Sequence, residues 1–352
     1  MGNAMSTMSG VLIGAILSIV AGVVNGSFAA PIKYAKKWEW ENLWSVWAVT
    51  GMFVLPWALV FATVPHVFSL YGGAGSHQLA LLALFGVGFG LAQIFFGLGI
   101  AAVGIALNFA IAIGVSTVFG SVVPFISKHS GSFLTRQGYF FFLGVVLMVA
   151  GIVLSAIAGR EKGKRLREDS TGTTDPSARK MSFAAGLTLC ILAGLGSPLG
   201  NFGLAFCTPT VDRAVALGVS VTNKYNVIWA PLYTASLVPY LIYCAYLWRK
   251  NHSWRLFAAS ETGINWFYGA LMALLWMGSS AIYGVAASRI GDMGPALGWP
   301  LFMSIIIITS SAWGFFTGEW KGAGRKSVTI MAVAIFFLVV GFATLAYSGT
   351  LG

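Results

Sequence analysis

Apolar residues in this chain come in long unbroken runs rather than at the spacing of a one-sided helix or the alternation of a strand. From Gln78 to Ser127 fifty consecutive residues carry no Asp, Glu, Lys or Arg, and similar gaps recur along the whole chain. An apolar stripe at period 3.6 marks a helix with one wet face, whereas a run of about 20 apolar residues marks a helix long enough to cross a bilayer. Runs bounded by charges and turn residues predict ten such spans, near 11–30, 43–64, 79–100, 102–126 and 138–158, then 181–206, 227–247, 264–287, 293–316 and 328–347. The third and fourth share one uncharged run, and only length and glycine divide it, between Gly97 and Gly104.

Composition agrees with that pattern. Of 352 residues 57% are hydrophobic and 9% charged, against about 25% charged in a soluble domain. The fold class expected is an all-α polytopic membrane protein, with a lipid bilayer as its surroundings and no room for a soluble domain. A net charge of +11 would suggest nucleic acid in a soluble chain. Here the basic residues sit in short loops between apolar runs, where they set topology, so no nucleic-acid partner is expected. The loops after spans 1, 3, 5, 7 and 9 hold sixteen Lys and Arg, and the other four hold five, namely Lys128, Arg136, Arg213, Lys224 and Arg289. The first set should be cytoplasmic and both termini periplasmic. Cys190, Cys207 and Cys244 stand singly in apolar segments, without the spacing of a metal site, so no metal and no cofactor is expected. No HExxH, intramembrane Asp pair or buried His beside a Ser points to an enzyme.

One long polar stretch, 160–180, interrupts the apolar pattern and is expected to be a mobile linker between residues 1–159 and 181–352. The two parts echo each other. Gly22, Gly26, Phe28 and Ala29 recur 174 positions later as Gly196, Gly200, Phe202 and Gly203. Phe96-Gly97 and Val103-Gly104 reappear 187 positions on as Tyr283-Gly284 and Ile290-Gly291, and Gly151, Ala156 and Gly159 match Gly341, Ala346 and Gly349 at 190. Two repeats of five spans must insert with opposite orientations. Such inverted pairs hold substrate between the halves near the midplane and work by alternating access.

Certain short motifs carry a family resemblance. Ala30-Pro31-Ile32-Lys33, Lys36-Lys37-Trp38, Trp40-Glu41, Trp44-Ser45 and Leu55-Pro56-Trp57 resemble the opening of the L-rhamnose/proton symporter family. Glu319-Trp320, Ala323-Gly324-Arg325-Lys326 and Val328-Thr329 resemble that family's loop before the last helix. The resemblance implies a ten-helix carrier of the drug/metabolite transporter type in a bacterial inner membrane, taking up the 6-deoxyhexose L-rhamnose with a proton. The chain departs from the enterobacterial pattern near Ala101 and at Phe302, where those members carry an Arg and a His.

A sugar needs hydrogen bonds to several hydroxyls and an apolar or aromatic wall for its C–H face. The polar intrusions into the spans are Asn25 and Ser27, Gln93, Asn108 and Asn201; an amide in lipid is costly, so these should face inward. Trp276, Tyr283 and Trp299 lie within spans 8 and 9 and are candidate walls. Ser280 occupies the repeat position of Gln93, and Tyr283 that of Phe96. No Asp, Glu or His is central in any span, so proton coupling, which the resemblance implies, falls to a carboxylate at a helix end: Glu41, Asp292 or Glu319.

Overall fold

The computed structural model describes residues 2–103, 105–169, 182–318 and 320–351, and every regular element among them is helical. With no water to satisfy backbone N–H and C=O groups, apolar runs of this length close their hydrogen bonds within the segment. The first half contains α1 (Gly2–Ser27), α2 (Trp40–Val49), α3 (Leu55–Thr63), α4 (Val67–Gly72), α5 (Ser76–Val103), α6 (Ile105–His129) and α7 (Arg136–Asp169). The second contains α8 (Phe183–Gly196), α9 (Leu199–Phe206), α10 (Thr208–Ala216), α11 (Trp229–Lys250), α12 (Gly263–Ile290), α13 (Gly294–Phe316) and α14 (Gly324–Gly349).

Nine stretches among the described residues are long and apolar enough to cross a membrane. One of them, 54 residues long, comprises α12 and α13, which are joined by a 3-10 turn at Gly291–Met293. Gly291 takes φ +86° there, and a Cβ on Gly294 would fall 2.1 Å from the Ala287 carbonyl oxygen, so this junction depends on glycine. Two further stretches are bent by proline. Pro56 offers no N–H to the helix behind it, and a π-turn at Thr50–Val54 joins α2 to α3. Pro198 separates α8 from α9.

Several helix ends differ from those predicted, α1 beginning at Gly2 rather than near residue 11. The break between α5 and α6 falls after Val103, at the far edge of the expected window. Helix α7 does not stop at the start of the polar stretch but continues to Asp169. Residues 160–169 are mostly Arg, Lys and Glu, all good helix formers, and Glu161 pairs with Lys164 on the same helix and with Lys326 in the first turn of α14 (3.0 Å). Residues 170–181 lie outside the described residues.

Helix α1 packs on α12 and α13, and α8 packs on α5 and α6. Helix α5 packs on α11, α12 on α2, α6 on α13, and α7 on α14. Small residues make the close approaches possible. The Cα of Gly14 faces Ile290, and that of Gly22 faces Ile305; likewise Gly186 faces Val103 and Gly194 faces Val115. The loops gather at two ends. At one, Lys33 Nζ donates to Thr317 (2.7 Å), Lys37 pairs with Glu261, and the Trp38 indole donates to the Leu256 carbonyl (2.9 Å). At the other, Arg213 donates to the Ser69 carbonyl (2.9 Å), Ser288 to that of Val221 (2.6 Å), and His129 Nε2 lies 3.3 Å from that of Asp292.

Candidate functional site

Asn201 sits in the first turn of α9, just past the Pro198 break that shifts this segment off the line of α8. Its side chain is completely buried. Nδ2 donates to the carbonyls of Gly120 in α6 and Pro295 in α13, both at 2.9 Å, and Oδ1 accepts from the Tyr283 hydroxyl in α12. One amide thereby ties four helices, one of which, α6, lies across the boundary between α1–α7 and α8–α14. The Tyr283 ring stacks on Phe302 with centroids 5.0 Å apart and meets Trp299 edge-on at 6.0 Å. The Trp299 indole donates to the Ser116 carbonyl (3.1 Å).

One turn before Tyr283, Ser280 Oγ lies 3.3 Å from the Tyr233 hydroxyl of α11. Tyr233 stacks on Trp229 (5.2 Å) and lies 4.7 Å from Trp276, which in turn lies 4.9 Å from Trp47 of α2. Phe89 of α5 closes on Tyr233 at 5.6 Å. Rings from both halves therefore form a continuous aromatic column beside two hydroxyls. Faces of this kind take the C–H surface of a sugar while the hydroxyls take its polar edge.

Asn25 reaches the same turn of α12, donating from Nδ2 to Ser279 Oγ (2.7 Å). Ser27 is engaged twice, donating to the Val23 carbonyl (2.8 Å) and accepting from the Trp313 indole (2.7 Å). Gln93 is half-buried and makes no hydrogen bond among the described residues. Asn108 is fully buried where α6 passes Gly99 and Cys190, and neither of its amide atoms has a partner.

The three carboxylates differ in setting. Glu41 opens α2 and is 2% exposed, the one buried carboxylate among the described residues. Its Oε1 accepts from Asn251 Nδ2 (2.9 Å) and from Ser253 Oγ, and no cation among the described residues pairs with it. Asp292 is exposed in the turn between α12 and α13. Glu319 lies outside the described residues.

A cavity of about 220 Å³ opens at the end of the bundle that carries Lys128. Its polar lining is Lys128 and His129 from the end of α6, Thr208 from α10, Tyr225 and Asp292. Its apolar lining includes Pro124, Leu204, Pro295 and Ala296. Pro295 also accepts from Asn201, so the cavity floor rests on the Asn201–Tyr283 tie.

Comparison with known proteins bears on this arrangement directly. Residues 6–349 match the profile of the L-rhamnose-proton symport protein (RhaT) family. The chain belongs to that family. An L-rhamnose-proton symporter of Mannheimia succiniciproducens is 25% identical over 337 residues, covering 94% of this chain and 96% of that protein. A symporter of the same name from Shigella boydii is 27% identical, and one from Escherichia coli 26% identical, over the same shares. A symporter family moves solutes rather than transforming them, so this is a transporter and not an enzyme, and with its apolar helices it is a multi-pass protein of the inner membrane.

Within this member of the symporter family, the site contains residues that sequence reading did not single out: Trp47, Phe89, Trp229 and Tyr233. In a chain with 26 Phe, 13 Trp and 11 Tyr no single ring stands out. The i, i+4 spacing of Trp229 and Tyr233 was the available signal, since it puts both rings on one helix face. Lys128, His129, Thr208 and Tyr225 were missed because residues at span ends read as topology signals rather than as a lining.

Proposed function

We propose that this chain takes up L-rhamnose together with a proton by alternating access, as ten spans in two inverted five-helix repeats. The family match across 6–349 carries the substrate and the coupling. Three features support the architecture. A stretch of 54 residues is about 80 Å as helix, far beyond a hydrocarbon core of about 30 Å, so α12 and α13 are read as two crossings. Exchanging the two halves maps each packing pair onto another: α1 on α12 and α13 corresponds to α8 on α5 and α6, α5 on α11 to α12 on α2, while α6–α13 and α7–α14 map onto themselves. The glycine contacts favour a register with Gly14 on Gly186 and Gly22 on Gly194, two residues from the alignment read off the first helix. The loops rich in Lys and Arg collect at the Lys33 end, which is taken as cytoplasmic, with the Lys128 end periplasmic.

In this reading the aromatic column and its neighbours Ser280, Tyr233 and Asn25 form the midplane sugar path. Asn201 and Tyr283 are the tie that separates it from the periplasmic cavity. Glu41 is the carboxylate proposed for the proton, because its charge can change without breaking an ion pair. The test is uptake of labelled L-rhamnose by proteoliposomes. Accumulation driven by an inward proton gradient, and reduced to equilibration in Glu41→Gln, is the expected result. Equilibration alone in the unaltered protein would make it an uncoupled carrier, and no L-rhamnose uptake would mean another sugar or small metabolite.

A further inference from the structure

We infer that the periplasmic cavity is a first docking site for the sugar, where a monosaccharide is held before the Asn201–Tyr283 tie opens. This rests on the transport reading above but adds a site to it. The cavity volume of about 220 Å³ suits one monosaccharide rather than a disaccharide or a nucleotide-linked sugar. Its lining holds both parts of sugar recognition, polar groups and carbon surface. Asp292 offers a carboxylate that can accept from two adjacent hydroxyls, Lys128 offers an ammonium, and Thr208 and Tyr225 offer hydroxyls. Pro124, Leu204, Pro295 and Ala296 present carbon to the C–H face and, for a 6-deoxy sugar, to its methyl group.

Position strengthens the assignment. The walls come from α6 of one half and from α9, α10 and the α12–α13 turn of the other, so relative movement of the halves changes the cavity's shape. Its floor residue Pro295 accepts from Asn201. A sugar drawing on the Pro295 wall therefore acts on the segment that holds the tie closed. The midplane residues around Asn201 have no spare donors to offer at this stage, because Nδ2 is used twice and Oδ1 is taken by Tyr283.

Two measurements on the full chain test this, the first in sealed vesicles of one orientation and the second in nanodiscs. The first is modification of Thr208→Cys by a membrane-impermeant methanethiosulfonate from the periplasmic side, with and without L-rhamnose. The second is equilibrium binding of labelled L-rhamnose to the unaltered protein and to Asp292→Asn, Lys128→Gln and, as a control at the same end but outside the cavity, Arg136→Gln. The expected results are protection of the cysteine by L-rhamnose and a loss of about tenfold or more in affinity for the two cavity variants, the size of one charge-assisted hydrogen bond. Arg136→Gln should bind normally. If the unaltered protein binds L-rhamnose while both cavity variants bind equally well and the cysteine is unprotected, the docking site is wrong and the transport reading stands. If L-rhamnose does not bind but another monosaccharide protects the cysteine and needs Asp292 and Lys128, the site stands and the substrate is wrong.

Discussion

Asn201 is a polar side chain in an apolar interior whose every hydrogen-bonding group is used, and that makes it costly to replace. Asn201→Leu leaves the Tyr283 hydroxyl without its partner, as well as the Gly120 carbonyl, which faces Pro124 and so has no N–H four residues on, each worth about 1 to 3 kcal/mol. The variant should unfold well below the unaltered protein in a detergent thermal melt, while Tyr283→Phe, which strands only Oδ1, should lose less. Gln93 is the opposite case. It has no partner to strand, so Gln93→Leu should melt unchanged, and a fall in L-rhamnose affinity of about 1 to 3 kcal/mol would assign its amide to the sugar. Burial pushes the Cys207 thiol up to about 12, so almost no thiolate exists at neutral pH. All three cysteines are buried and free, and none should react with an impermeant maleimide until the protein is denatured. At this scale Asn25, Asn108 and Asn201 are buried and Gln93 half-buried; the cost of an amide in lipid is a property of the residue alone, so the sequence could point to these groups. It could not separate an amide that is fully bonded from one that is free, since that depends on which carbonyls lie opposite.

Among elements, close helix contacts are where a single methyl matters most. A Cβ on Gly86 would fall 2.1 Å from the Leu232 carbonyl oxygen of α11, and one on Gly90 2.3 Å from that of Ser236. Backbone oxygen has nowhere to move, so Gly86→Ala should push α5 from α11 and lower the melting temperature, whereas Gly97→Ala, with nothing within 4 Å, should not. The spans themselves were legible because a run of twenty apolar residues has one stable solution in lipid. Their ends were less so: α7 outruns its apolar run through the mostly charged residues 160–169, since helix propensity and the Glu161 pairs act outside the membrane. In the repeat reading proposed above, the glycine contacts favour a register two residues from the one read off the first helix, for a related reason. Glycines align by identity in a sequence but by the neighbour they face in a structure.

For the whole molecule the charge asymmetry makes a sided prediction. Reporter fusions at the C-terminus that need the periplasm should be active, and fusions within 170–180 that need the cytoplasm should be active; the reverse pattern would turn the molecule over and move the docking cavity to the other side. Fold class and family were within reach of the sequence, because both depend on patterns spread along the chain. The docking cavity was not, because its walls come from separate segments, around Lys128, Thr208, Tyr225 and Asp292, that meet only when the helices pack.

The pairing of α7 with α14 sets what kind of movement those halves can make. Each half gives one helix to this seam. Gly144 and Gly151 on one side and Gly341 on the other bring backbones close enough for Leu345, Leu338 and Met148 to interlock. Lys326 and Glu161 add a clasp just beyond it. Interlocked surfaces resist being pulled apart along their length but permit a small turn about it. In the alternating-access reading proposed above, the seam is the axle of the carrier: the halves would swing around α7 and α14 like covers around a spine, and a cross-link placed within that spine should leave transport running where one placed across the aromatic column stops it.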